Sequence, residues 1–196
     1  MAAKAERWPP VYDLDDLVAQ IKRLTTHHDI AEAFYEWRRD RSIVEPGDVC
    51  QGDVIDLASE VPVILEDGKP GIVDHPDRHW LVIGNTCDFD RKLDEARWTQ
   101  LVPIISVGLA SKLSAAELDA AQRYTQSRSF FVPAWNADRA RSVHVADLLR
   151  PVGVDKRVLH GTAPKGVVQA RISRAAWILL NACLVRFLAR DDGRYD

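Results

Sequence analysis

A series of short apolar runs, separated by turn-forming residues, constrains the fold of this chain more than any other feature. From residue 45 onward, runs rich in Val, Ile and Leu alternate with Gly, Pro and Asp. Short runs bounded by such residues are typical of β-strands. The predicted strands cover residues 48–57, 61–65, 80–83, 101–107 and 130–132, with a turn at 66–70. Many short strands with turns between them favour a small β-barrel over a doubly wound parallel sheet.

A helical segment precedes these strands. Residues 14–24 carry apolar side chains at helical spacing, which predicts one short amphipathic helix. A second short helix is predicted by the same spacing in Ile30, Ala33, Phe34 and Trp37. We therefore divide the chain into a helical N-terminal extension, residues 1–43, and one barrel domain, residues 44–196.

Two further helices are predicted within and after the series of strands. Ser114 and Glu117 form the S-x-x-E pattern of a capping box, which predicts a helix over about 114–126. Ser173 can cap a last helix over about 173–190, which is apolar on most of its circumference and is expected to be buried in this domain or against a partner. The predicted fold class is α+β, with a small SH3-like β-barrel, N-terminal helices and a long C-terminal helix.

Length, charge and cysteine content narrow the class of protein. A chain of 196 residues suits one domain of ordinary size, and its formal charge of −3 gives no global attraction to nucleic acid or to an anionic membrane. The three cysteines lack C-x-x-C spacing, which argues against a disulfide framework and against a structural zinc site. With no apolar stretch typical of a signal peptide or a membrane span, we expect a cytoplasmic protein without a membrane partner.

The stretch at residues 79–91, HWLVIGNTCDFDR, ends in a group of chemically active side chains. Asp88 and Asp90 form a D-x-D pattern that could bind Mg²⁺ through carboxylate oxygens. Cys87 could act as a nucleophile if one of the histidines supplies a base: His75, His79, His144 or His160. For the Cys and for the Asp pair, a structural interpretation is favoured over a functional one. Cys87 would be a small buried residue that closes the strand, and the Asp side chains would cap backbone N–H groups in a solvated turn.

Arg78 stands immediately before this stretch. An arginine at the start of a buried strand can bind a phosphate through two of its N–H groups. Most arginines in such a position pair instead with a surface carboxylate. Both alternatives stay open at the level of sequence.

Three landmarks together resemble the PemK/MazF-like fold, an SH3-like β-barrel best known from the endoribonuclease toxins of bacterial toxin–antitoxin pairs. They are Gly47-Asp48-Val49 at the first strand, Arg78-His79-Trp80-Leu81-Val82-Ile83 in place of R-P-x-x-V-I, and Leu101-Val102-Pro103-Ile104-Ile105-Ser106 in place of V-x-P-I-T-S. Their order and rough spacing agree with the family pattern. The resemblance covers about residues 44–107.

This resemblance implies roles for particular residues. In the family, the arginine acts on the scissile phosphate and a threonine after the P-I pair assists, so Arg78 and Ser106 would take these roles without a metal ion or a cofactor. The position that matches the threonine itself is Ile105. The segment that contains Cys87 and Asp88 is similar to an S-Q-x-C-D signature of larger bacterial barrel-like proteins that have a helical C-terminus.

The expected function follows from this resemblance. We expect a nucleic-acid-associated protein that resembles endoribonuclease toxins, in a toxin–antitoxin or phage-defence system, with single-stranded RNA as its partner. The candidate site residues are Arg78, Ser106, Cys87 and Asp88. One alternative is a non-catalytic interaction module of a larger bacterial assembly, which binds a partner protein or antitoxin through the barrel groove or the C-terminal helix. A third is a metal- or thiol-dependent hydrolase that acts at the Cys87-Asp88 loop.

Overall fold

The α+β class predicted from the sequence is confirmed by the computed structural model, which describes residues 30–39, 49–65, 67, 69–89, 91–107, 114–135, 143–156, 159 and 167–188. The helices are α1 (Ile30–Phe34), α2 (Thr86–Phe89), α3 (Ala115–Gln122) and α4 (Arg174–Leu188). The strands are β1 (Tyr35–Arg38), β2 (Asp53–Asp56), β3 (Glu60–Ile64), β4 (Pro70–Asp74), β5 (His79–Val82), β6 (Trp98–Val107), β7 (Ser129–Val132), β8 (Val143–Asp147), β9 (Val152–Asp155) and β10 (Val167–Ile172).

Eight of the strands form one antiparallel sheet that is organised around β6. The order is β1-β10-β2-β5-β6-β8-β7, and β9 also pairs with β6. One side of β6 pairs with β9 along its first four residues and with β8 along its last four, while β5 lies along the other side. The sheet curls into a half-barrel, which confirms the prediction of a small barrel-like fold. The strands β3 and β4 form a separate hairpin across the predicted turn at 66–70.

Both faces of the sheet are buried at β5, which explains why the sequence of this strand is nearly all apolar. Successive residues of a strand point to opposite faces. On β5, Leu81 packs in a cluster with Val54 and Val102. Its neighbour Trp80 packs in a second cluster on the other face, together with Val82. The alternating side chains of β5 therefore contribute to two separate hydrophobic clusters.

The two predicted later helices are present, and their caps follow the sequence signals. The backbone N–H of Glu117 donates to the Ser114 hydroxyl over 3.2 Å, and the Ser114 N–H donates to the Glu117 carboxylate over 2.9 Å. This capping box starts α3 as predicted, although the helix ends at Gln122. Ser173 precedes α4, and its hydroxyl accepts the Ala176 N–H over 3.3 Å. The buried side chains of α4 pack in the same cluster as Leu81 and include Ala176, Leu179, Leu180 and Cys183.

The prediction of a helix through Trp37 is wrong in its second half. The helix α1 ends at Phe34, and the next four residues form the edge strand β1, which pairs with β10. Tyr35 and Trp37 are buried while Glu36 is exposed, so the burial pattern has the period of a strand. Pairing with a strand from far along the chain thus overrides the local helical spacing. The predicted helix at 14–24 lies outside the described residues.

In the part of the chain that the structure describes, no helix is both long enough and apolar enough to span a membrane.

Candidate functional site

Arg78 lies immediately before β5 and pairs with Asp56 at the end of β2. The Arg78 Nε donates to both carboxylate oxygens, over 2.8 Å to Oδ1 and 2.9 Å to Oδ2, and Nη2 lies 2.8 Å from Oδ2. The Arg78 side chain is 57% exposed. Its Nη1 has no hydrogen bond to a residue that the structure describes. The carboxylate therefore fixes the orientation of the guanidinium and leaves part of it open to a ligand.

The charges of this pair are stable. Burial raises the pKa of Asp56, but hydrogen bonds from Arg78 and from the Ala58 N–H outweigh this effect and hold the pKa below its usual value. The same hydrogen bond raises the pKa of Arg78. Both groups are therefore ionised at neutral pH.

One histidine lies beside the ion pair, and another lies three residues before Arg78 in the sequence. His79 is the first residue of β5, and its Nε2 lies 3.9 Å from Asp56 Oδ2. The ring of Trp135 contacts two imidazoles, with centroid distances of 5.1 Å to His79 and 4.6 Å to His144. His75 accepts the Asp77 N–H at Nδ1 over 3.1 Å. The side chain of His75 is 24% exposed and that of His79 only 10%, so His75 is the more accessible of the two.

A second arginine belongs to the same end of the sheet. Arg150 donates from Nη1 to Asp77 over 3.3 Å and from Nε to Asp147 over 2.8 Å. These contacts and the β5–β6 pairing bring a group of residues together where β5 begins and β6 ends. We call this group the Arg78 end: Asp56, His75, Asp77, Arg78, His79, Ser106 and Arg150.

Ser106 lies at the Arg78 end but not on the same face of the strand ladder as Arg78. In the ladder, His79 stands opposite Ile104, so the next step places Arg78 opposite Ile105. Ser106 is one residue further on, is exposed and stands opposite His144 of β8. Because side chains alternate between faces, Ile105 and not Ser106 shares the face of Arg78. Ile105, which has no hydroxyl, is therefore the residue of β6 that stands opposite Arg78 in the ladder.

The Cys87-Asp88 loop lies beyond the other end of β5. Its start requires glycine, because a Cβ on Gly84 would lie 2.1 Å from Thr99 Oγ1 and 3.0 Å from the Gln100 backbone N. Cys87 is exposed, so the interpretation of a small buried Cys that closes the strand is wrong, and its backbone N–H donates to the Asn85 side chain over 3.1 Å. The side chain that caps this backbone N–H is therefore that of Asn85 and not that of Asp88.

A buried lysine anchors this loop. The Lys156 ammonium is almost fully enclosed and donates to the backbone carbonyls of Asp88 and Arg91, the latter over 3.2 Å. The Asp88 carboxylate lies 3.5 Å from Arg91 Nε. Lys156 lies 68 positions from Asp88 in sequence, and no local pattern indicates this contact.

The four candidate residues thus fall into two separate groups. The Gly84 N–H donates to the Gln100 carbonyl, and Ser106 lies six residues further along β6. At about 3.3 Å per residue, this corresponds to a separation of roughly 20 Å. Cys87 and Asp88 are therefore not brought together with Arg78 and Ser106.

The partners considered for the Cys87-Asp88 loop are not found beside it. The described histidines that could serve Cys87 as a base are His75, His79 and His144, and they lie toward the Arg78 end. His160 and Asp90 lie outside the described residues. Within the described ranges, no three His, Cys, Asp or Glu side chains gather closely enough to hold a metal ion.

No protein-family model matches this chain, and no characterised protein matches it significantly in sequence. The antiparallel half-barrel with its C-terminal helix is compatible with a barrel fold, and the PemK/MazF resemblance rests on the three sequence landmarks alone.

Proposed function

We propose that this chain is an RNA-associated protein of the PemK/MazF-like type, and that the Arg78 end contacts single-stranded RNA. The observation that carries the proposal is the guanidinium of Arg78, which the Asp56 carboxylate holds in one orientation at an exposed strand start. Guanidinium groups bind phosphate through paired N–H donors, and RNA presents one phosphate per nucleotide. A role in a toxin–antitoxin or phage-defence system is part of the same proposal.

The groups beside Arg78 support metal-independent cleavage of the RNA backbone. In such a reaction the 2′-hydroxyl loses a proton and attacks the neighbouring phosphorus, and the leaving 5′-oxygen gains a proton. Arg78 supplies the positive charge that stabilises the phosphate oxygens in the transition state. His75 is the better candidate for proton transfer, because its side chain is more exposed than that of His79. Catalysis by Ser106 is not favoured by its position on the opposite face of the strand.

Electrostatics at the Arg78 end predict weak and local binding. Two arginines, Arg78 and Arg150, are outnumbered by the three aspartates with which they pair, Asp56, Asp77 and Asp147. The whole chain carries −3. Long-range attraction is therefore small, and the affinity must come from direct contacts at low ionic strength.

Replacing Arg78 by Ala is expected to weaken the binding of single-stranded RNA about tenfold, because one charge-assisted contact to a phosphate is lost. The slope of log K against log salt concentration should fall in magnitude by about 0.7, the value for one phosphate contact on a single strand. Fluorescence anisotropy with labelled oligoribonucleotides over a series of salt concentrations measures both quantities. Cleavage of the same oligonucleotides in EDTA should be lost in this variant.

Arg97→Ala is the matched control for this experiment. Arg97 also pairs with an aspartate, Asp155, over 2.7 Å, but it lies just before β6, away from the Arg78 end. This variant should bind RNA as the wild type does. Equal losses in the two variants, or no RNA binding by the wild type at low salt, would refute the proposal.

A specific feature of α4 supports the second candidate, a non-catalytic interaction module. Three apolar side chains on one side of the helix are exposed: Trp177, Val185 and Leu188. If the wild type does not bind RNA, a partner protein or antitoxin on this side of α4 becomes the leading candidate.

A further inference from the structure

An open cleft lies on the part of the molecule opposite the Arg78 end. It has a volume of about 540 Å³ and is lined by Glu36, Cys50, Gln51, Thr86, Arg171, Ile172, Arg174 and Trp177. This volume lies within the range of about 300–1,000 Å³ that is typical of small-molecule sites. The cleft is formed by β1, the end of β10, the turn before β2 and the first turns of α2 and α4.

A network centred on Gln51 makes the walls of the cleft rigid. The Gln51 backbone N–H donates to the Thr86 hydroxyl over 2.9 Å, and its Nε2 donates to the Ile83 carbonyl over 2.9 Å. Its Oε1 accepts the Trp177 indole N–H over 2.8 Å and the Asn181 amide over 3.4 Å. The indole ring of Trp177 is thus fixed in position although 38% of the residue is exposed.

The charged groups of the cleft differ in their availability. Arg171 is bound to the fully buried Asp53, through Nε to Oδ1 over 2.8 Å and through Nη2 to Oδ2 over 2.9 Å. The side chains of Glu36 and Arg174 are exposed, and neither side chain forms a hydrogen bond or an ion pair with another residue in the described ranges, although Glu36 is close enough to Arg171 to interact with it electrostatically. The cleft therefore offers one carboxylate, one guanidinium and one fixed indole to a ligand.

We propose that this cleft binds a guanine nucleotide, with the base against Trp177, the base edge on Glu36 and the phosphate on Arg174. An ionised carboxylate only accepts hydrogen bonds, and its two oxygens match the adjacent N1–H and N2–H donors of guanine. An adenine edge does not offer this pair of donors. Indole rings stack on nucleobases, and arginine binds phosphate through paired N–H groups. This site is separate from the Arg78 end and does not depend on the proposed RNA contact.

Calorimetric titration of the full chain with GMP, AMP, guanosine and inorganic phosphate tests this inference. GMP should bind about tenfold or more tightly than AMP and than inorganic phosphate. Arg174→Gln should weaken GMP binding about tenfold and leave guanosine binding unchanged, because only the phosphate contact is removed. Glu36→Gln should remove the preference for GMP over AMP.

Matched controls are Arg123→Gln and Glu95→Gln, two exposed residues outside the cleft. Both should bind GMP as the wild type does. Equal affinities for GMP and AMP in the wild type would overturn the assignment of Glu36. If inorganic phosphate binds as tightly as GMP, the cleft is only an anion site and the proposal is overturned. The absence of GMP binding at millimolar concentrations would also overturn it. The ligand in this test is a mononucleotide, so the absence of GMP binding does not bear on the proposed RNA contact at the Arg78 end. The absence of RNA binding at the Arg78 end likewise does not bear on the proposed guanine site.

Discussion

Replacing Asp53 by Ala is expected to lower the free energy of unfolding by about 3–5 kcal/mol, the cost of breaking a buried ion pair from one side. Asp53 is fully buried and accepts three hydrogen bonds, two from Arg171 and one from the Cys50 N–H over 2.8 Å. An arginine guanidinium is not deprotonated in proteins, so Arg171, whose side chain is only 19% exposed, stays charged when its partner is removed. Urea denaturation of the variant and the wild type measures the difference.

Asp119→Ala is the control for this prediction. Asp119 accepts a hydrogen bond from Arg123 Nε over 3.0 Å, but both side chains are exposed, Asp119 on α3 and Arg123 immediately after it. An exposed pair of this kind contributes about 0.5 kcal/mol or less. Similar losses in the Asp53 and Asp119 variants would show that burial of the Asp53/Arg171 pair does not matter to stability, contrary to the expectation.

Replacing Trp80 by Ala should also lower the free energy of unfolding by about 3–5 kcal/mol, because it removes a large side chain from a closed core. Trp80 is fully buried on β5, and its ring lies 4.8 Å from that of His75. The same substitution should therefore disturb the Arg78 end as well as the core. Thermal and urea denaturation measure the loss of stability.

Trp98→Ala provides a comparison at an exposed tryptophan. Trp98 is 44% exposed and contacts the Arg97 guanidinium, which lies 5.2 Å from its ring. Loss of such a contact costs about 1 kcal/mol. A loss in the Trp98 variant as large as that in the Trp80 variant would contradict the packing described for β5.

The parts of the fold that could be predicted are those with strong local signals. The apolar runs of β5 and β6 are buried on both faces, so they are recognisable without knowledge of the rest of the chain. The capping pair of Ser114 and Glu117 places the start of α3 directly. By contrast, Tyr35–Arg38 becomes a strand only because β10, more than a hundred residues away, pairs with it. Long-range pairing of this kind leaves little trace in the local sequence.

At the candidate site, too, the local features could be predicted from the sequence and the long-range contacts could not. The position of Arg78 at a strand start could be predicted from the apolar run that follows it. Its partner Asp56 could not be predicted, because the contact depends on the pairing of β2 with β5. The separation of Cys87 from Arg78 follows from the length of β5, and the buried contact of Lys156 follows from tertiary packing alone. Local sequence thus indicated which residues to consider, and tertiary structure decided which of them lie together.

The proposed contact of RNA with the Arg78 end is the central claim, and amide hydrogen exchange with and without a single-stranded oligoribonucleotide tests it most directly. At low salt, RNA should slow exchange in residues 75–79 and 104–106, where β5 begins and β6 ends. With a guanine-free oligoribonucleotide such as oligo(U), which the proposed guanine cleft at Thr86 and Trp177 would not recognise, exchange in the loop at residues 85–89 and in α4 should stay unchanged. Protection confined to that loop or to α4, with none at the Arg78 end, would contradict the claim.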